Sequence, residues 1–326
     1  MKHAKPLIQG TIAAAILCCA AVAADAQNDQ FSFGPPLRSN HVFAYKYTER
    51  VTTVHEMMGA VSDSSERVLT YFITQHQFPT PGKNGMLTIQ ANIDSMTLEV
   101  RTEGDQRLVF NTQTFAFTDG KLAGHREVLV PSSLVNRLVT FSITPYGEIL
   151  SVDSPDLDNV MEQAKDPSID EFTRTRLMEI TTDQYLASVF LPWRMLPVGR
   201  QVKYNESVSV PLWMGFDRLS FKGKGTSTLS KSPDGDPVVR FQGRLSGPVL
   251  AKLTTSGFDD PLTVKSAEAN VAGEMTLQPD GVVQRGWSAV TGSAVCDRNG
   301  TAMNTRIKHE TYIEALSVSP LPTGGG

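Results

Sequence analysis

The chain has 326 residues, with 30 Lys and Arg against 34 Asp and Glu, a formal net charge of −4. A mildly acidic chain with no run of Lys or Arg lacks the basic patch that nucleic acid or an anionic membrane surface requires. Three cysteines are too few for a disulfide framework, so an apolar core must hold the fold, and a chain this long can bury one.

Lys2, His3 and Lys5 give a positive start, and Ile12 to Ala24 follow without a charge. That run is shorter than the ~20 residues a helix needs to cross a bilayer, and it has the length of a secretory-signal core. Ala24-Asp25-Ala26 supplies the small residues of a cleavage site, which predicts removal of residues 1–26 and export to the periplasm or the extracellular space. Leu17 before Cys18, and Cys18 before Cys19, do not provide the small residue that precedes a lipid-accepting cysteine. Cleavage after Ala26 removes Lys2, Lys5 and Asp25, so the mature chain carries 28 basic and 33 acidic residues. No other apolar stretch is long enough to span a bilayer. Cys296 is then the lone cysteine, expected as a buried, inert thiol.

Residues 27–36 read as a flexible lead-in, and strand patterns dominate 37–153. Phe43, Tyr45 and Tyr47 alternate with Ala44, Lys46 and Thr48. Val68, Thr70, Phe72, Thr74, His76 and Phe78 share one parity, while Leu69, Tyr71 and Ile73 fill the other, which predicts a strand covered on both faces. Leu87, Ile89, Ala91 and Ile93, then Met96, Leu98 and Val100, alternate again, and Leu108 to Phe117 forms a further strand or pair. Thr144-Pro145-Tyr146-Gly147, Ser232-Pro233-Asp234-Gly235 and Gln278-Pro279-Asp280-Gly281 share a form that predicts hairpin tips.

Residues 154–197 read as a helical segment. Asp153-Ser154-Pro155 has the look of a helix start. Ser168 and Glu171 have the spacing of a capping box, which predicts a helix from about Ser168 to Phe190, stopping before Pro192. A second β lobe is expected over 198–319, followed by a disordered tail at 320–326. Lys46-Tyr47-Thr48-Glu49 has a counterpart in Lys203-Tyr204-Asn205-Glu206, and the Pro145 turn has one in the Pro279 turn, consistent with a duplication of the lobe. The expected fold class is mainly β, a β-rich α+β arrangement of two curved antiparallel lobes or half-barrels joined by a central helical segment.

Pro197-Val198-Gly199-Arg200-Gln201-Val202, leading into the second lobe, resembles a feature of uncharacterised bacterial exported envelope families of β-rich, two-lobe layout. Those families often carry tryptophan where Val202 stands. The resemblance implies an envelope setting and brings no activity with it.

Chemistry-bearing motifs are sparse. His41, His55, His76, His125 and His309 show no metal-ligand spacing, and no nucleophile elbow, phosphate loop or dinucleotide fingerprint occurs. Cys296-Asp297 with His309 is a conceivable thiol–base set that nothing local assembles. Asp153, Asp156 and Asp158 are better explained by helix capping than by calcium, and Asp259-Asp260 by a solvated turn. Trp193, Met195, Trp213 and Trp287 are the candidate ligand-binding or interlobe-seam residues, although tryptophan more commonly packs a core. No cofactor and no metal is expected. The leading functional expectation is a non-catalytic extracytoplasmic protein that holds an apolar small molecule between β lobes and helices. A structural or assembly component that contacts another envelope protein is the alternative, and a hydrolase with a dispersed site is a third reading.

Overall fold

A computed structural model describes residues 30–32, 40–82, 85–102, 107–114, 116–117, 126–144, 147–191, 196, 201–216, 219–247, 252–253, 262–279 and 281–321. The expected signal segment, most of the lead-in and the last residues of the tail lie outside them.

The described chain forms β1 (Gln30–Ser32), β2 (His41–Met57), β3 (Ala60–Pro79), β4 (Leu87–Thr102), β5 (Arg107–Asn111), β6 (Ala116–Phe117), α1 (Arg126–Ser132), β7 (Val139–Ile143) and β8 (Ile149–Asp153). Then come α2 (Pro155–Ala164), α3 (Glu171–Ile180), α4 (Asp183–Phe190), β9 (Gln201–Lys203), β10 (Ser207–Phe216), β11 (Leu219–Lys231), β12 (Pro237–Ser246), β13 (Lys252–Leu253), β14 (Leu262–Leu277), β15 (Val283–Arg298) and β16 (Thr301–Pro320). The fold is mainly β, as the alternation predicts.

The two β regions share one sheet. Of its fourteen described antiparallel strands, eleven follow the path β10-β11-β12-β14-β15-β16-β2-β3-β4-β5-β6, and β7, β8 and β13 attach beside it. The ends of this path do not pair, so the sheet is open. The join is the long ladder between β16 and β2, running from Met303 opposite Met57 to Pro320 opposite His41. A ladder between the two ends of a chain leaves no local signal in the sequence, which is why the two regions read as separate lobes.

Strand period two sorts residues between an inner, buried face and an outer, polar one. Phe43, Tyr45 and Tyr47 on β2, and Leu69, Tyr71 and Ile73 on β3, are buried on the inner face. Phe72, Thr74, His76 and Phe78, of the opposite parity, are half-buried. The two apolar runs of β4 become one strand because Asp94 is an extra residue: Phe72 pairs with Ser95 and Ile73 with Ile93. That bulge returns Met96, Leu98 and Val100 to the face already used by Ile89, Ala91 and Ile93.

Hydrogen bonds fix the three hairpin tips alike. Gly147, Gly235 and Gly281 donate to Thr144, Ser232 and Gln278 at 2.9, 3.0 and 2.8 Å. Their φ values of 81°, 92° and 88° lie where glycine is favoured. The paired Lys-Tyr elements do not match in this way. Lys46-Tyr47-Thr48-Glu49 lies inside β2, whereas Tyr204 and Asn205 form a turn after β9.

The central segment holds three helices. The proposed helix from Ser168 to Phe190 is two, broken at Thr181-Thr182. Both the amide and the hydroxyl of Ser168 donate to Asp166. Asp170 therefore caps α3, accepting from the Thr173 amide at 2.9 Å. Thr182 caps α4 by accepting from the Tyr185 amide at 3.3 Å. At the start of α2, Ser154 donates to the Leu138 carbonyl and Asp156 accepts from the Leu138 amide. The helices dock on the inner face near β3, β4 and β7: the Tyr71 hydroxyl donates to the Pro131 carbonyl, Gln75 donates to the Phe190 carbonyl, and Phe190 packs on Phe141.

Candidate functional site

The inner face carries a polar cluster in the middle of its apolar field. Glu49 has the parity of Phe43, Tyr45 and Tyr47, so β2 directs it beneath the helices, where it is 6 % exposed. Register then supplies its neighbours. Thr311 and Leu69 lie directly opposite Glu49 on β16 and β3, and His309 and Arg67 lie opposite Val51, one step along the same face. Glu49 thus has His309 diagonally on one side and Arg67 on the other. Arg67 Nη2 is 2.5 Å from Glu49 Oε1, His309 Nε2 is 3.7 Å from Oε2, and the Tyr47 hydroxyl donates to Oε2 at 3.5 Å. Arg176 of α3, paired with Glu179 at 2.6 Å, adds a second guanidinium within electrostatic reach.

Burial alone would raise the Glu49 carboxyl. The combined pull of Arg67, His309 and Arg176 outweighs it and holds the group well below the usual carboxylate range. Burial pushes the Tyr71 and Tyr185 hydroxyls up, with the Glu49 charge adding to the shift in both. A carboxylate so stabilised in its ionised form is a weak proton acceptor, which makes Glu49 a poor general base near neutral pH. Arg67 Nε is buried and takes no hydrogen-bond partner among the described residues. An unsatisfied buried donor costs about 1–3 kcal/mol.

A second cross-strand set lies further along the same face. His55 Nδ1 is 2.9 Å from Thr305 Oγ1, and Thr305 also bonds Cys296. Among the described histidines, His55 is the one linked to the thiol through Thr305, because Cys296 pairs with Met303 at one end of β16 and His309 lies well down the strand. Burial pushes the Cys296 thiol up, which opposes thiolate chemistry.

Of the tryptophans and methionine singled out in the sequence, Trp193 and Met195 lie outside the described residues. Trp213 belongs to β10, opposite Lys222, with its side chain outside them. Trp287 stands on the outer face, 43 % exposed, beside Tyr312 at 45 %. The two border an open groove of about 430 Å³ together with Lys46, Glu274 and Arg285. Two larger polar grooves, about 940 and 610 Å³, meet at Arg244 on the outer face of the C-terminal strands. Among the described residues no group of three His, Cys, Asp or Glu side chains is placed to hold a metal ion. Nor is any helix among them long and apolar enough to cross a membrane.

Sequence reasoning did not single out Arg67 or Arg176, named Glu49 only in the Lys-Tyr comparison, and considered His309 with Cys296 rather than with Glu49. The available signal was a charge at the buried parity of β2, directly after Phe43, Tyr45 and Tyr47.

The sequence matches no protein-family profile. No curated protein matches it either. Among solved structures, lipovitellin, described for its lipid–protein interactions, is similar over 89 % of this chain at 11 % identity and a TM-score of 0.48. This chain spans 26 % of the length of lipovitellin. An outer membrane channel from Pseudomonas putida F1 aligns with 87 % of this chain and 98 % of its own, at 7 % identity and a TM-score of 0.22. The β domain of a Bordetella autotransporter aligns with 85 % and 99 %, at 7 % identity and a TM-score of 0.21. Likenesses at these scores identify neither a family nor an activity.

Proposed function

We propose that this chain is a non-catalytic extracytoplasmic protein that holds an apolar ligand between the inner face of its sheet and helices α1–α4. The observation that carries the reading is the one-sided chemistry of an open sheet. Inner-face apolar residues run from Leu212 and Phe241 through Met275 and Ile307 to Tyr71 and Ile93, all of them buried, while the described helix contacts cluster on β3, β4 and β7. An apolar chain inserted at such a seam gains about 25 cal/mol for each Å² removed from water, and a few convergent polar groups set its orientation. The site holds an ion-paired carboxylate and a buried, hard-to-ionise thiol, which favours binding over catalysis.

Titration of the delipidated protein with a fluorescent fatty acid, cis-parinaric acid, tests the reading. Saturable binding at one equivalent is expected, with competition by oleate. Signal that rises linearly without saturation would contradict it.

A second reading, docking to another envelope component, is favoured by Met58. This residue is 91 % exposed at the β2–β3 tip and has a φ of 52°. A bulky apolar side chain in that conformation is uncommon and costs stability, which suits a contact made outside the chain.

A further inference from the structure

We propose that the outer-face groove over Trp287 and Tyr312 is a saccharide-binding site that takes a flat, β-1,4-linked chain of uncharged pyranose rings. Two adjacent rows of side chains build it. Glu274, Trp287, Tyr312 and Thr48 lie opposite one another in turn across β14, β15, β16 and β2. Thr276, Arg285, Glu314 and Lys46 form the next row on the same face. Directly opposed side chains have Cβ atoms about 4.5–5.5 Å apart, so the indole and the phenol rise from neighbouring positions, the phenol hydroxyl donating to Glu310 at 3.4 Å.

Each component matches a part of a sugar. The axial C–H bonds of a pyranose with equatorial hydroxyls make a flat apolar surface that stacks on an aromatic face. The hydroxyls at its rim both donate and accept. Glu274 and Glu314 accept, Lys46 and Arg285 donate, and Thr48 and Thr276 do either. Arg240, 2.7 Å from Glu274, fixes that carboxylate from outside the groove.

Geometry and charge select the class further. Strands lie about 4.7–4.9 Å apart, close to the rise of one sugar in an extended β-1,4 chain, so consecutive rings fall over consecutive strands. Among the groove-lining residues Lys46 and Arg285 balance Glu274 and Glu314, and Arg240 stands beyond Glu274 on β12. The groove, about 430 Å³ and open to solvent, suits an internal stretch of a polymer better than an enclosed small molecule. The other large apolar side chains exposed on β14–β16 are Val295 and the bulge residue Leu316, which stand apart, whereas Trp287 and Tyr312 face each other across neighbouring strands. The inference is independent of the inner-face ligand.

The test is calorimetric titration of the full chain with the β-1,4-linked tetramer of N-acetylglucosamine, with maltotetraose, an α-1,4-linked and curved chain, as the comparison. Saturable binding of the first and much weaker binding of the second are expected. Trp287→Ala and Tyr312→Ala should each weaken binding about tenfold, the effect of losing one aromatic contact. Both side chains are exposed, so the unfolding midpoint of each variant should stay at the wild-type value, which separates lost binding from lost folding. No saturable binding of the tetramer at millimolar concentration, or unchanged binding in Trp287→Ala, would overturn the site. Equal affinity for the two tetramers would overturn its preference for a flat chain.

Discussion

Glu49 and Arg67 meet diagonally across β2 and β3, 2.5 Å apart, with side chains only 7 % and 21 % exposed. Each charge is the other's largest electrostatic partner, with His309 and Arg176 adding to the field at Glu49. Breaking a buried pair strands the remaining charge at a cost of about 3–5 kcal/mol, whereas replacing both members with apolar residues is often neutral. Glu49→Gln should lower unfolding stability by an amount in that range. The double variant Glu49→Leu, Arg67→Met should recover most of the loss. Denaturant titration of Glu49→Leu, Arg67→Met and their double closes the cycle, and a double variant that loses the sum of those two singles would show the residues to be uncoupled.

The same pair predicts a pH dependence. The folded Glu49 carboxyl is held below its unfolded value of about 4.3. Its contribution is therefore complete above the unfolded value and is lost as pH falls from there toward the folded one. The difference in thermal midpoint between wild type and Glu49→Gln should be largest near pH 7 and should shrink by pH 3. A difference that stays constant across that span would remove Glu49 from the acid response.

How far the sequence discloses all this depends on the range of the interaction. The proline–glycine turns, the start of α2 and the parity of Phe43, Tyr45 and Tyr47 are set by neighbours within a few residues, and they are legible. Asp170 displaces Ser168 as the cap of α3 because Asp166 holds Ser168, a competition among four close residues that spacing alone does not resolve. The β16–β2 ladder joins residues some 250 positions apart, as Glu56 with Arg306 does. The site depends on that ladder, since it brings His309 and Thr311 to Glu49. Trp287 was visible as a residue, but its place beside Tyr312 again needed register.

Two hairpin tips give a matched comparison of turn chemistry. Asn299-Gly300 and Met58-Gly59 have φ pairs of 52° and 86°, and 52° and 81°. Asparagine tolerates the left-handed region because its side chain bonds locally, and methionine has no such help. Met58→Asn should raise stability by roughly 0.5–1 kcal/mol, the part of the left-handed penalty that asparagine avoids. Thermal melts of the variant check this. A lower midpoint would mean that Met58 makes a stabilising contact within the chain.

Gly273 on β14 leaves room on the inner face for the ring of Phe241, its direct neighbour on β12. A Cβ there would lie 2.2 Å from Cζ of Phe241 and 2.6 Å from the Trp287 carbonyl oxygen. Overpacking of this kind typically costs about 1–3 kcal/mol. Gly273→Ala should lose that much, and trimming the ring with Phe241→Leu in the same chain should restore only part of it, because the backbone clash remains. Full restoration would show that the carbonyl contact relaxes freely.

The central claim is that an apolar molecule lies between sheet and helices. Native mass spectrometry of the protein, purified without detergent from a cell that exports it, addresses it directly. The account predicts a species heavier than the polypeptide by one lipid-sized mass. Denaturation should release that mass, and organic extraction should recover it. A native mass equal to the bare chain, unchanged after incubation with oleate or phospholipid, would contradict it.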